Sequence, residues 1–264
     1  MNKVFDAYAA YYDLLYQDKN YHKEAKYILR LLEDNGISNG NILELGSGTG
    51  RVTIPVANAG CKITGIDFSP KMISLAREKA SDLFPDSDNL NFIQQDMRDF
   101  DLHKKFSKIL IPFRGFQSLL SVQDQELTLR SVKNNLDSNG KLIFSVFVPD
   151  PLMLADGYIP FSHFRDIKDP ISGENISLWH EGEIDSFNQI MHIRLSAKNI
   201  TPGRKVVKDF SREFQIRYSF RWEIFHLLSS CGFEVEEIYG DFSYSSFNEE
   251  STEMVWVAKL FGDS

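Results

Sequence analysis

The chemistry of this chain concentrates in NILELGSGTGR, residues 41–51. Glu44 stands two residues before the first of three glycines, Gly46, Gly48 and Gly50, which alternate with Ser47 and Thr49. Glycines let a chain turn tightly and let a ligand approach the backbone. Three ligand classes compete for such a loop. A phosphate cradle ends in Gly-Lys-Ser/Thr, which is missing here. A dinucleotide fingerprint has glycine at its first, third and sixth positions; here the sixth is Arg51 and the glycines fall first, third and fifth. An acid at 44 would repel a pyrophosphate. It suits a ligand that carries an ammonium group and a positively charged sulfur.

S-adenosylmethionine is such a ligand. Two further acids fit a nucleoside. Asp67 closes KITGID, and an acid at the end of a second strand can accept both hydrogen bonds of a ribose diol; it does not say which nucleoside. Asp96, in QQDMRDF, ends a third apolar run, where it can accept from an adenine amino group while Met97 packs on the ring face.

The elements that must position these residues follow from periodicity. Residues 5–16 and 20–35 read as helices, the second with Ala25, Ile28, Leu29 and Leu32 on one face. Then NILEL, KITGID, LNFIQQD, FSKILIP and KLIFSVFVP read as strands, separated by helices over 50–59, from Ser69 (N-cap, followed by Pro70) and over DQELTLRSVKNNLDSNG. Such alternation predicts a doubly wound, mostly parallel sheet. It breaks at 176–218, where alternating stretches joined by DSFNQ and PGRK predict an antiparallel β insertion. A helix near 219–230 and two strands, FEVEEIYG and MVWVAKL, complete the sheet. The organisation is therefore 1–150 for the N-terminal helices and ligand-binding part, 151–218 for the insertion, and 219–264 for the last helix and strands.

Taken together, the motifs resemble those of class I S-adenosylmethionine-dependent methyltransferases of small molecules. ILELGSGTGR is similar to that family's first motif, GIDFSPKMISLARE to its second, NFIQQDMRDF to its third and FSKILIPFRGFQSLL to its fourth. The resemblance runs from YAAYYDLLY to TEMVWVAKL. It implies an α/β fold with a seven-stranded sheet whose last strand is antiparallel. It implies that Gly46, Ser47, Gly48 and Gly50 face the methionine part of the cofactor with Glu44 orienting the loop, that Asp67 and Phe68 meet the ribose, and that Asp96, Met97 and Ile111 frame the adenine. Tyr12 and Tyr16 resemble tyrosines that close over the cofactor, although their spacing suits helix packing equally well. S-adenosylhomocysteine would be the product.

The acceptor is expected just past the fourth strand. Phe113 and Phe116 could wall a methyl channel. Arg114 could hold an anionic acceptor or pair with an internal acid. Arg217 and Tyr218, leading out of the insertion, are further pocket candidates, and a basic run from Arg204 to Arg221 could take an acidic small molecule. Many relatives carry histidine where this chain has Ser118, so the general base is open; His163 and His180 are the candidates, histidine being the side chain that titrates near neutral pH. The same departure admits a protein that holds the cofactor without catalysis. A nicotinamide-dependent oxidoreductase is a third reading, disfavoured by the glycine spacing.

Composition narrows the partners. Among 264 residues, 29 Lys and Arg oppose 37 Asp and Glu, a net charge of −8. This balance gives no general attraction to phosphate backbones or anionic lipids, so nucleic acid is disfavoured. The two cysteines, Cys61 and Cys231, form no metal-ligand pattern, and no metal is expected. The first residues lack a signal-peptide core and no apolar run is long enough to span a membrane. A cytoplasmic enzyme acting on a small molecule, as a monomer or homodimer, is the expectation.

Overall fold

The computed structural model describes residues 9, 12, 13, 15, 26–30, 41–84, 88–168, 173, 175–199 and 209–262. Tyr16 and the basic residues Arg204, Lys205 and Lys208 lie outside them. Residues 9, 12, 13, 15 and 26–30 are helical, within the two N-terminal helices that periodicity predicts.

The main sheet is built from β1 (Asn41–Leu45), β2 (Lys62–Asp67), β3 (Leu90–Gln94), β4 (Phe106–Ile111), β5 (Leu136–Phe147), β10 (Phe233–Tyr239) and β11 (Glu253–Leu260), in the order β10-β11-β5-β4-β1-β2-β3. β1 to β5 pair in parallel, and β11 runs antiparallel between β5 and β10. The parallel strands are covered on both faces, which is why they read as continuous apolar runs. α1 (Thr53–Asn58), α2 (Pro70–Leu83), α3 (Val122–Asn135) and α5 (Arg221–Ser230) supply the cover. Ser69 caps α2 by accepting from the Met72 N–H at 3.2 Å, with Pro70 at the first position. The core gathers aromatic rings around β5: Phe116 lies 4.8 Å from Phe144, which stacks on Trp256 at 6.2 Å.

Between β5 and α5 stands the insertion. It comprises α4 (Pro151–Asp156) and a four-stranded antiparallel sheet, β6 (Tyr158–Lys168), β7 (Asn175–Asp185), β8 (Ile190–Asn199) and β9 (Asp209–Arg217), in chain order. Two boundaries differ from the sequence reading. β6 is a further strand ahead of the 176–218 stretch read as antiparallel, its alternation being broken by register shifts near Ile159 and His163. β5 begins at Leu136, five residues before the apolar run, because α3 ends at Asn135 with its side chain donating to the Ser131 carbonyl at 2.9 Å.

Candidate active site

β1 delivers the chain to the carboxyl edge of the sheet beside β4, and its connection leads the other way, to β2. That is the topological switch point at which open α/β sheets leave a crevice. Gly46, Gly48 and Gly50 turn there with φ of 71°, 54° and 83°. At Gly50 glycine is required twice over, since a Cβ would also lie 2.8 Å from the Phe92 ring. The Gly48 N–H donates to Asp67 Oδ2 at 2.9 Å and the Ser69 N–H donates to Asp67 Oδ1 at 2.8 Å, so the acid at the end of β2 is aimed by backbone. Glu44 is 2% exposed and accepts from the Thr53 hydroxyl in the first turn of α1, which satisfies a carboxylate that burial would otherwise penalise.

The third strand adds Asp96 and Met97. Both Asp96 oxygens accept from the Arg98 guanidinium, and Arg98 also reaches Asp124 at 3.0 Å. The Arg98 hydrogen bonds hold the Asp96 carboxyl below its ordinary range. A Cβ at Gly46 would sit 3.3 Å from Met97 Cε, so the thioether lies against the loop. Two buried atoms here, Ser47 Oγ and Gln95 Oε1, meet no partner among the described residues. Buried polar atoms are ordinarily paired, so this wall fits a ligand rich in donors and acceptors.

These groups line one cavity of about 470 Å³. Tyr12, Glu44, Gly46, Ser47, Gly48, Asp67, Phe68, Asp96 and Met97 all reach it. Opposite them stands the insertion. Strand register puts Leu178, His180 and Gly182 of β7, Met191, Ile193 and Leu195 of β8, and Arg212, Phe214 and Ile216 of β9 on one face. From that face His180, Met191, Ile193, Leu195, Arg212, Phe214 and Ile216 line the cavity. His180 stacks on Phe164 of β6 at 5.0 Å, and burial pushes its pKa down. Phe113 and Arg114 enter from the end of β4 with φ of 54° and 63°, two successive non-glycine residues in the left-handed region, a strain that tends to collect at functional turns. A wider cleft of about 930 Å³ adjoins the cavity, and Ser118, Ile159, Ile193, Phe214 and Gln215 border both.

Several expected residues stand elsewhere. Gly50 turns the chain into α1, and Ile111 and Phe116, 0% and 1% exposed, belong to the core. Ile111 ends the continuous apolar run of β4, and Phe116 packs on Phe144. Arg114 takes the second of its two expected roles, pairing with Glu253. Arg217 lies on the other face of β9, donating to the Leu120 and Asn188 carbonyls at 3.3 and 2.9 Å. Tyr218 is 3% exposed and packs with Ile184 and Met191 beneath the insertion. His163 sits exposed on β6, 2.9 Å from Asp166, and does not reach the cavity. Ser118 Oγ donates to the Gly115 carbonyl at 2.6 Å. Conversely, Asp13, Gln95 and Gln117 carry parts of the site's frame although the sequence reading gives them no role. Gln117 joins the sheet to the insertion, accepting from the Phe147 N–H at 3.1 Å and donating to the Arg217 carbonyl at 3.2 Å. Among the described residues no group of three or more His, Cys, Asp or Glu side chains is arranged to hold a metal, and no helix is long and apolar enough to cross a membrane.

Residues 37–177 match the family model of a methyltransferase domain. The chain belongs to that family. Its fold, a seven-stranded mostly parallel sheet with a separate antiparallel sheet, matches the class I methyltransferase fold. The crystal structure of an S-adenosylmethionine-dependent methyltransferase from Clostridium acetobutylicum ATCC 824 superposes with a TM-score of 0.79 at 18% identity, covering 96% of this chain and 97% of that one. Among curated sequences, YqeM of Bacillus subtilis (strain 168), named as a methyltransferase with no acceptor in its name, is 26% identical over 97% of each chain. The dTDP-3-amino-3,6-dideoxy-alpha-D-glucopyranose N,N-dimethyltransferase of Streptomyces fradiae is 25% identical over 58% of this methyltransferase and 56% of its own length.

Proposed function

We propose that this methyltransferase transfers a methyl group from S-adenosylmethionine to nitrogen or oxygen of a small polar molecule held under the insertion. One observation carries the reading. A single cavity has the glycine loop, Asp67 and the Asp96–Met97 pair on one wall and the inner face of the insertion on the other. The cofactor would be held by Glu44, Gly46, Ser47 and Gly48 at its methionine end, by Asp67 and Phe68 at the ribose, and by Asp96 and Met97 at the adenine, with Tyr12 across the loop. When bound it supplies an electrophilic methyl on positively charged sulfur.

The chain itself has to align the acceptor, exclude water and remove a proton where the nucleophile carries one. Phe113, Phe164, Met191, Ile193 and Phe214 do the first two, as apolar walls around the acceptor's reacting end. His180 does the third. It faces the cavity from the insertion, and burial favours its neutral form, whose free ring nitrogen accepts a proton. It takes the place of the histidine that relatives carry near Ser118. The wider cleft gives the remainder of the acceptor room and an approach that does not cross the glycine loop. The amino-sugar dimethyltransferase of Streptomyces fradiae supports nitrogen over oxygen as the target atom.

Calorimetric titration with S-adenosylhomocysteine, with NAD in parallel, tests the cofactor. Micromolar binding of the first, weakened at least about 100-fold in Asp67→Ala by loss of charge-assisted hydrogen bonds, is the expected result. Binding of NAD, or of neither, overturns the reading. Release of S-adenosylhomocysteine in the presence of a panel of small amines and amino sugars then separates an enzyme from a cofactor-holding protein.

A further inference from the structure

Of the described helical residues near the N-terminus, Tyr12 lines the cavity, and its helical neighbours touch both the insertion and the main domain. On one side Ala9, Leu15 and Tyr12 pack with Leu178, Leu195 and Ala197 of the insertion. The Leu15 carbonyl also accepts from Arg165 of β6. These residues and the insertion thus make one cap. On the other side the same apolar cluster takes in Met72 and Leu75 of α2, and the Asp13 carboxylate adds polar contacts with the glycine loop and α2. Asp13 Oδ1 accepts from the Thr49 hydroxyl at 2.7 Å and from Arg51 Nη1 at 3.3 Å, and Asp13 Oδ2 accepts from Lys79 Nζ. Arg51 donates in addition to the Asp13 carbonyl at 3.1 Å.

Thr49, between Gly48 and Gly50, is 0% exposed. Its hydroxyl is used by Asp13, and its carbonyl accepts from Lys79 at 2.9 Å. Tyr12, the neighbour of Asp13, lines the cavity, 3.9 Å from where a Cβ on Gly48 would stand. Tyr12 therefore packs against the glycine loop at the cavity wall, one residue from the Asp13 contacts.

We infer that Asp13 is a positioning residue that latches the cap onto the glycine loop and sets the rate at which the cofactor leaves. The inference rests on the cofactor reading above. The strength of the contact suits a latch. The side chains of Asp13, Lys79 and Arg51 are 43%, 36% and 17% exposed, so each pair is partly screened and weak by itself, and salt weakens it further. Three donors on one carboxylate make a closure that holds on the time scale of turnover and still opens. Because Asp13 and Lys79 both bind Thr49, closing the cap and fixing the loop peptide are one event.

The test is the dissociation rate of S-adenosylhomocysteine from the full chain, measured by surface plasmon resonance. Asp13→Asn is expected to raise it about 3- to 10-fold, the range for partly screened ion pairs lost together, while the association rate changes less than about twofold. The ligand-free melting temperature should stay within about 2 °C of wild type, because exposed pairs contribute little to stability. Asp13→Asn should add less in a Lys79→Met background than in wild type, since the two side chains act through one contact. For the unmodified protein, raising salt from about 50 to 500 mM should speed dissociation, and Asp13→Asn should blunt that response. An unchanged dissociation rate in Asp13→Asn, or salt-independent dissociation from wild type, overturns the latch while leaving the cofactor reading intact. Failure of wild type to bind S-adenosylhomocysteine removes both.

Discussion

At the scale of single residues the site works by backbone-aimed acids facing a hydrogen-bond-hungry wall. Asp67 is oriented by two N–H groups before any ligand arrives, and such preorganisation lowers the entropy lost on binding. His180 is the titratable group that distinguishes the insertion's inner face. Its pKa is lowered by burial, so the unfolded chain, with an ordinary histidine near 6.5, binds a proton that the folded chain resists. The contribution is whole above that value and is lost as pH falls from it toward the lower folded value. Thermal midpoints at pH 7.5 and 5 should therefore draw apart more in wild type than in His180→Gln. Equal slopes would mean that the ring is solvated and does not face a dry pocket. The residues that line the cavity from the main sheet were legible as types and spacing in 41–97, because each lies at the end of a parallel strand. Arg217, Tyr218 and His163 were not, since which face of a strand meets a cavity depends on a register that only pairing with neighbours decides.

At the scale of elements, the joint between the sheet and the insertion decides the shape of the pocket. Gln117 bridges it from the short 3-10 turn at Gly115–Ser118, holding the Phe147 N–H and the Arg217 carbonyl. Gln117→Leu keeps the volume and leaves both groups without that partner, at about 1–3 kcal/mol for each that stays buried. The urea midpoint should drop with an unchanged slope, and an unmoved midpoint would show that the joint lies elsewhere. Strand and helix alternation was readable through β5, because both faces of a parallel sheet are covered and its strands stay apolar. β6 was not readable as a strand, its alternation being broken where register shifts.

For the molecule as a whole, the cavity belongs to no single unit. Its walls come from the main sheet and the insertion, with Tyr12 from the N-terminal helical residues, so a ligand bound there is expected to couple them. S-adenosylhomocysteine at 100 times its dissociation constant should stabilise the fold by about 2.7 kcal/mol, which for a chain of this size raises the melting midpoint by roughly 5 to 10 °C. NAD should leave it unmoved. Two separate transitions, with only one shifted, would show that the insertion unfolds independently and does not close the site. By itself the sequence determined the doubly wound class, the place of the glycine loop and the acids at the strand ends, because those are local: they depend on periodicity, turns and residues a few positions apart. Only the tertiary structure decided that Asp13 ties the cap to that loop, that Gln117 joins two sheets and that His180, not His163, faces the cavity. Those are contacts between residues far apart in the chain, and no spacing along it encodes which of them meet.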